Sequence, residues 1–295
     1  MSIKRRFADY LKVVMNNAIN ILLLPVGNKQ RERFILELVQ DLIPLKKISL
    51  LGNKSMILTC PGYDVLFRVE EFFVKEPETL RWIDTFQDGD IFWDIGANIG
   101  VYSLYAAVTK GIQVCAFEPS SANYWVLNKN IEINHLDECI SAYCIALSES
   151  QKIGSFNMGD TNFGGAYSQF SESKLKDFNY AGVVQSKVLF NQAMISFSLD
   201  EFIRIYKPPF PTHIKIDIDG YEDGLVKGCS EALYDKRLKS VLIELNGCDE
   251  AISRILDTFK RSGFSIFAKE HAPQFDEGKS KNFYNYIFIR EELMR

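Results

Sequence analysis

From residue 91 onward the chain alternates between short apolar runs and stretches with helical spacing. Runs at Ile91–Ile95, Gln113–Glu118, Ile140–Ala146, His213–Ile218, Ser240–Leu245, Ser265–Lys269 and Tyr284–Arg290 predict seven strands. Between many of them, Val101–Thr109, Ala122–Asn134, Asp223–Leu233 and Asp249–Ser262 carry apolar residues at helical spacing. Strand–helix alternation predicts an α/β chain with a mostly parallel sheet and helices on both faces. Strands covered on both faces are rich in Ile, Val, Leu and Phe, as these runs are.

The first part of the chain reads differently. Residues 4–24 place Phe7, Leu11, Val14, Ala18 and Leu22 on one helical face. Lys4, Arg5 and Arg6 lie before the apolar stretch Ala18–Val26, as in a signal peptide, but Asn16 and Asn17 break the apolar region and no small-residue cleavage site follows. The stretch is too short to span a bilayer. We read it as a helix docked on the body of the protein; peripheral contact of a basic helix with a membrane surface is the alternative. A second helix covers Arg31–Leu42 and stops at Pro44. Met56–Cys60 and Val65–Val69 flank Pro61-Gly62-Tyr63-Asp64 and predict a hairpin. Glu76-Pro77-Glu78-Thr79 opens a short helix to about Phe86. Residues 152–205 interrupt the alternation with a Gly/Asn/Ser-rich run and strand-like Lys187–Phe190 and Met194–Phe197, and read as an insertion or lid. The expected organisation is an extension over residues 1–87 and a sheet domain over 88–295.

Composition narrows the class. Of 295 residues, 47% are hydrophobic and 24% charged, which excludes a disordered or collagen-like chain. Lys+Arg number 34 against 38 Asp+Glu, a net charge of −4 that argues against a nucleic-acid partner. The six cysteines (Cys60, Cys115, Cys139, Cys144, Cys229 and Cys248) form no CxxC pair, and with three histidines they argue against structural zinc and for the reducing cytoplasm.

Three stretches carry chemistry. In Asp94-Ile95-Gly96-Ala97-Asn98-Ile99-Gly100 an apolar strand runs through a glycine turn into a helix, the place where doubly wound sheets bind ligands. The spacing D-x-G-x-N-x-G lacks the middle glycine of a pyrophosphate cradle, and Asp94 suits a cationic ligand such as S-adenosylmethionine. Glu118, at the tip of the second strand, occupies the position that binds ribose hydroxyls in both nicotinamide and adenosylmethionine folds. In Lys215-Ile216-Asp217-Ile218-Asp219, strand alternation places three charges on one face, costly unless paired or used. A buried Lys215–Asp217 ion pair is one reading; a carboxylate site for proton removal or a divalent cation is the other. Glu244 and Asn246 repeat the anomaly on the next strand.

Taken in order, WDIGANIGVYSLYAA, AFEPSSANYWVLNKNIEIN, SLDEF at 198–202 and IKIDIDGYEDGLVKG resemble the FkbM family of S-adenosylmethionine-dependent methyltransferases. The likeness spans about residues 75–250, including Glu76–Ile83. The family's usual glutamate in KIDVEG is Asp219 here, shorter by one methylene. The resemblance implies a Rossmann-like seven-stranded sheet with the last strand antiparallel, and O-methylation of hydroxyls on sugars and natural products. It implies that Asp94, Gly96, Ala97, Asn98 and Gly100 line the methionine and ribose part of the cofactor. Glu118 and Pro119 would lie at the ribose, Ala146 and Leu147 near the adenine, and Asp217 at the methyl-transfer point. Asp217, Asp219, Glu222 and Glu244 are the catalytic candidates, and the acceptor is expected to be a sugar of a bacterial polysaccharide, lipopolysaccharide or glycosylated natural product.

An aspartate could take the hydroxyl proton, or Mg²⁺ held by these carboxylates could acidify the hydroxyl, although no metal ligand set is assigned. In the insert, Phe163 and Tyr167 could stack on a sugar. A nicotinamide-dependent oxidoreductase and a non-catalytic binding protein on the same fold are the rival readings.

Overall fold

A computed structural model describes residues 3–22, 27–180, 184–247, 251–278 and 281–294. Cys248, Asp249 and residues 23–26, named above, lie outside these. The chain divides into two units, Met1–Pro44 and Leu45–Arg295. The first holds helices α1 (Ile3–Leu22) and α2 (Asn28–Asp41), close to the periodicities read above. Among the described residues no helix is long and apolar enough to cross a membrane.

The second unit begins at Leu45 rather than at residue 88. Its first elements are β1 (Leu45–Ser49), β2 (Ser55–Thr59), α3 (Tyr63–Glu70), α4 (Phe72–Lys75) and α5 (Pro77–Asp84). Met56, Leu58, Val65, Phe72 and Ile83 share one core with Phe92, Val114 and Leu127 of the sheet domain, which is why the boundary lies earlier. The hairpin predicted over Met56–Val69 does not form. β2 pairs antiparallel with β1, and the expected second strand is α3. Val65 and Val69, four apart, are both buried, while Asp64 and Arg68 sit at the helix ends that favour their charges. A five-residue apolar run fits either period, and the helical one wins here.

The main sheet comprises β3 (Ile91–Ile95), β4 (Gln113–Phe117), β5 (Ile140–Tyr143), β12 (His213–Ile216), β13 (Ser240–Asn246), β14 (Phe264–Glu270) and β15 (Phe283–Arg290). Its order is β14-β15-β13-β12-β3-β4-β5. The five central and right-hand strands are parallel, and β15 runs antiparallel to both neighbours. Alternation sends Phe92, Val114, Leu242 and Ile287 to one core, with α6 (Val101–Lys110) and α7 (Ser121–Ile133). It sends Trp93, Cys115, Ile214, Ile243 and Phe288 to the other, with α8 (Leu199–Tyr206), α9 (Glu222–Lys227) and α10 (Ile252–Arg261). The predicted helix over Asp223–Leu233 is thus shorter, ending at Gly228. The fold is the Rossmann-like α/β class with seven strands.

The insert is richer than the sequence reading. Ala146, expected to end the strand from Ile140, instead joins Leu147 as β6 (Ala146–Leu147) of a second sheet, with β7 (Lys152–Met158), β8 (Ser168–Ser171) and β11 (Phe190–Phe197) in the order β6-β11-β7-β8. β9 (Asp177–Tyr180) and β10 (Val184–Lys187) form a separate ladder. Phe156, Met158, Phe170 and Met194 give this sheet its own small core. The insert ends before α8, which starts with a Ser198–Glu201 capping box and buries Leu199 and Phe202 against the main sheet.

Candidate functional site

β3 and β12 are adjacent, yet their chains proceed to opposite sides of the sheet, β3 to β4 and β12 to β13. Their carboxyl ends open a cavity of about 510 Å³, at the switch point where such folds bind ligands. Gly96, the first residue after β3, has φ +83°, and a Cβ there would lie 1.9 Å from the Asp217 carbonyl oxygen. No other residue fits that crossing. Asn98, with φ +51°, donates its backbone N–H to Glu118 Oε2 at 2.8 Å. Ser120 N–H donates to Oε1 at 2.8 Å. Burial nevertheless pushes the Glu118 carboxyl up to about 7, against the pull of those two donors.

Gly96, Asn98, Glu118, Pro119, Ala146, Leu147 and Asp217 all line this cavity, as do Asp219 and Glu244. Ala97, Gly100, Asp94 and Glu222 do not. Ala97 is packed in the core. Gly100 caps α6, and the position of its absent Cβ is 2.3 Å from Leu127 Cδ1, so it serves helix packing. Asp94, 1% exposed, accepts from Ser103 Oγ at 2.6 Å and leaves Oδ1 without a partner. Burial pushes it up to about 6. It lies beneath the site, not in it. Glu222 turns back to accept from Gly220 N–H at 3.0 Å at the start of α9, and burial pushes it up to about 8.

The charges at the end of β12 separate. The strand stops at Ile216, so Asp219 does not share its face; at φ +22° it accepts the Ser168 N–H at 3.0 Å. Lys215 is 1% exposed and donates to Asp217 Oδ2 at 2.7 Å. Glu76 Oε2 lies 3.6 Å from the same ammonium, and the Tyr102 ring is 4.9 Å away. Burial opposes these charges, but Asp217, Glu76 and Asp94 hold Lys215 above its ordinary value. Burial likewise opposes ionisation of Glu76, yet Lys215 and Lys75 hold it down at about 2.

Sequence reasoning did not single out Lys75 or Asn285, and read Glu76 and Glu78 only as a helix start. All four line the cavity. Glu76 and Glu78 are 3% and 2% exposed, so they are not the solvated first-turn acids that a helix start usually carries. Asn285 Nδ2 donates to Glu78 Oε1 at 2.7 Å across 207 residues. A polar Asn285 inside the apolar run Tyr284–Arg290 was the available signal.

The insert closes one side. Gly164–Phe170 line the cavity, and Gly165 O accepts from both Asn98 Nδ2 and Asn123 Nδ2 at 3.0 Å. Gly164 N–H donates to Asn123 Oδ1 at 2.8 Å, and Arg68 Nε donates to Gly164 O at 2.7 Å. Tyr167 lines the cavity, but Phe163 packs on Trp125 at 5.4 Å instead. Among the described residues no group of three or more His, Cys, Asp or Glu is arranged to hold a metal ion.

Residues 94–266 match the methyltransferase FkbM domain. The chain belongs to the FkbM methyltransferase family. A relative of this FkbM-family chain, hexuronic acid methyltransferase AglP of Haloferax volcanii, is 23% identical over 233 residues, 76% of this chain and 88% of that protein. The solved structure of methyltransferase FkbM from Methylobacillus flagellatus KT is similar at TM-score 0.47 and 15% identity, covering 77% of this chain and 52% of that one. Precorrin-6y C5,15-methyltransferase from Geobacter metallireducens is similar at TM-score 0.41 and 12% identity, covering 72% and 86%. Lys75, Glu76 and Glu78 precede the part of this methyltransferase that matches the family, and Asn285 follows it.

Proposed function

We propose that this chain is an S-adenosylmethionine-dependent O-methyltransferase whose acceptor is a hydroxyl of a sugar, in a polysaccharide, lipopolysaccharide or glycosylated natural product. The observation that carries the reading is one cavity holding both Glu118, with its two backbone donors, and Asp217, on either side of the Gly96 crossing. The residues present fit the cofactor. The Gly96 crossing excludes a side chain, Glu118 offers a carboxylate for ribose hydroxyls, and Phe117, Ala146 and Leu147 offer an apolar wall for adenine.

When bound, S-adenosylmethionine supplies an electrophilic methyl on a sulfonium, which the acceptor oxygen takes as the carbon–sulfur bond breaks and the electron pair stays with sulfur. Asp217 takes the acceptor's hydroxyl proton, and Lys215 fixes the carboxylate that receives it. Asp219 positions the insert, through Ser168, rather than meeting the acceptor. Excluding water and orienting the acceptor supply much of the acceleration in such a displacement. The sugar acceptor draws support from the relative named for a hexuronic acid. The proposed setting is the cytoplasm, in keeping with five free cysteines among the described residues.

Calorimetry with S-adenosylhomocysteine and NAD side by side tests the cofactor. Binding of the first alone is expected, and binding of NAD alone would overturn the reading in favour of an oxidoreductase. A one-methyl mass difference between glycans of native and deletion strains tests the acceptor class.

A further inference from the structure

Three side chains from distant parts of the chain meet at the end of the cavity formed by α5, β13 and β15. Glu78 comes from the first turn of α5, Glu244 from β13 and Asn285 from β15. Glu244 and Asn285 are direct partners in the antiparallel β13–β15 register, so their side chains leave the same face at close spacing. Asn285 is 4% exposed, and its Nδ2 is committed to Glu78. Its Oδ1 is buried with no hydrogen-bond partner, an unfavourable state unless something supplies a donor.

We propose that Asn285, Glu244 and Glu78 form the acceptor subsite, and that it takes an uncharged sugar through a pair of adjacent hydroxyls. One hydroxyl donates to Asn285 Oδ1, and its neighbour hydrogen-bonds the Glu244 carboxyl. This rests on the O-methyltransferase reading and adds the acceptor's charge and the groups that read it.

Two further observations favour an uncharged ligand. Eight carboxyl side chains line the cavity against two strongly basic ones, Arg68 and Lys75. Lys75 is paired with Glu76 Oε1 at 3.2 Å, and Arg68 Nε is held by the Gly164 carbonyl. An incoming carboxylate or phosphate would meet a surplus of acidic over basic side chains. Burial, with Asp217 and Glu76 nearby, pushes the Glu244 carboxyl well above its ordinary range, and burial also raises Glu78. The relative named for a hexuronic acid matches 23% of aligned positions, which leaves room for a different acceptor charge. Glu78 and Asn285 also flank the residues that match the family, so two of the three subsite side chains come from outside them.

Saturation-transfer NMR on the full chain saturated with S-adenosylhomocysteine tests the subsite. The probes are neutral methyl hexopyranosides of gluco, manno and galacto configuration and methyl glucopyranosiduronate. At least one neutral glycoside is expected to bind, and the uronate about tenfold more weakly or not at all, one lost interaction of about 1.4 kcal/mol. Asn285→Leu and the milder Asn285→Ser are each expected to weaken the neutral glycoside about tenfold while S-adenosylhomocysteine affinity stays within about twofold. Equal binding of the uronate, unchanged glycoside binding by Asn285→Ser, or no signal from any neutral glycoside would overturn the subsite. Failure of the wild-type chain to bind S-adenosylhomocysteine would instead overturn the methyltransferase cofactor assignment on which it rests.

Discussion

Lys215 and Asp217, two residues apart, form a 2.7 Å ion pair whose cationic end is sealed inside the sheet. Asp94 and Glu76 are the other carboxylates acting on that ammonium. Lys215→Met leaves Asp217 and Asp94 without this cation, and Glu76 with Lys75 alone. A loss of about 3–5 kcal/mol is expected, the usual cost of breaking a buried pair from one side. Urea denaturation of the two proteins measures it.

Asp217 and Asp219 are both lining carboxylates, but only Asp217 is free of a backbone task. Asp217→Asn is expected to lower kcat by about 10²-fold or more, as loss of a general base does. Asp219→Asn, which still can accept from Ser168, is expected to stay within about tenfold of wild type. Comparable losses in the two variants would move the base assignment.

Glu118 carries a pH signature. Its folded value of about 7 lies above the ordinary 4.5, so the folded chain holds this proton more tightly than the unfolded one. The stability contributed by that proton is present at low pH and is lost as pH rises from about 4.5 to about 7. The proposed hydrogen bonds from ribose hydroxyls are strongest to the ionised form. S-adenosylhomocysteine affinity is therefore expected to rise with pH up to about 7 and then level, with proton release on binding below it. Calorimetry in buffers of different ionisation enthalpy measures the release, and Glu118→Gln should abolish it.

Asn123 makes two of the hydrogen bonds that fasten Gly164 and Gly165. Asn123→Ala removes both, at about 1 kcal/mol each. Amide exchange at Gly164 and the dissociation rate of S-adenosylhomocysteine are expected to rise about tenfold, readable by exchange mass spectrometry and stopped flow.

Much of this architecture was legible because its signals are local. The strand–turn–helix of Asp94–Gly100 and the acid at the tip of β4 sit in fixed relation to one βαβ unit, so spacing alone located Gly96, Asn98 and Glu118. Asp94 was misplaced because a strand's alternation says which face a residue takes, not how deep it lies; Ser103 holds it under the helix. Glu222 was misplaced for a related reason, as a first-turn acid can turn back to its own backbone. α3 was misread because Val65–Val69 is too short to declare a period. Strands β7 to β10 hid among Ser, Asn and Gly, whose propensity argues against strands until a partner is present. Lys75, Glu78 and Asn285 were invisible as a site because they meet only in three dimensions.

The span of those contacts has its own consequence. The donors to Glu118 come from two and twenty residues away, whereas Glu78 and Asn285 are joined across 207. The proposed cofactor cradle can assemble once a single βαβ unit is in place. The opposing wall needs the β14–β15 ladder laid against β13 and α5 docked beneath it. Fraying of that outer ladder would thus erase selectivity while sparing the cradle, a division of labour between an early, local half of the domain and a late, long-range one.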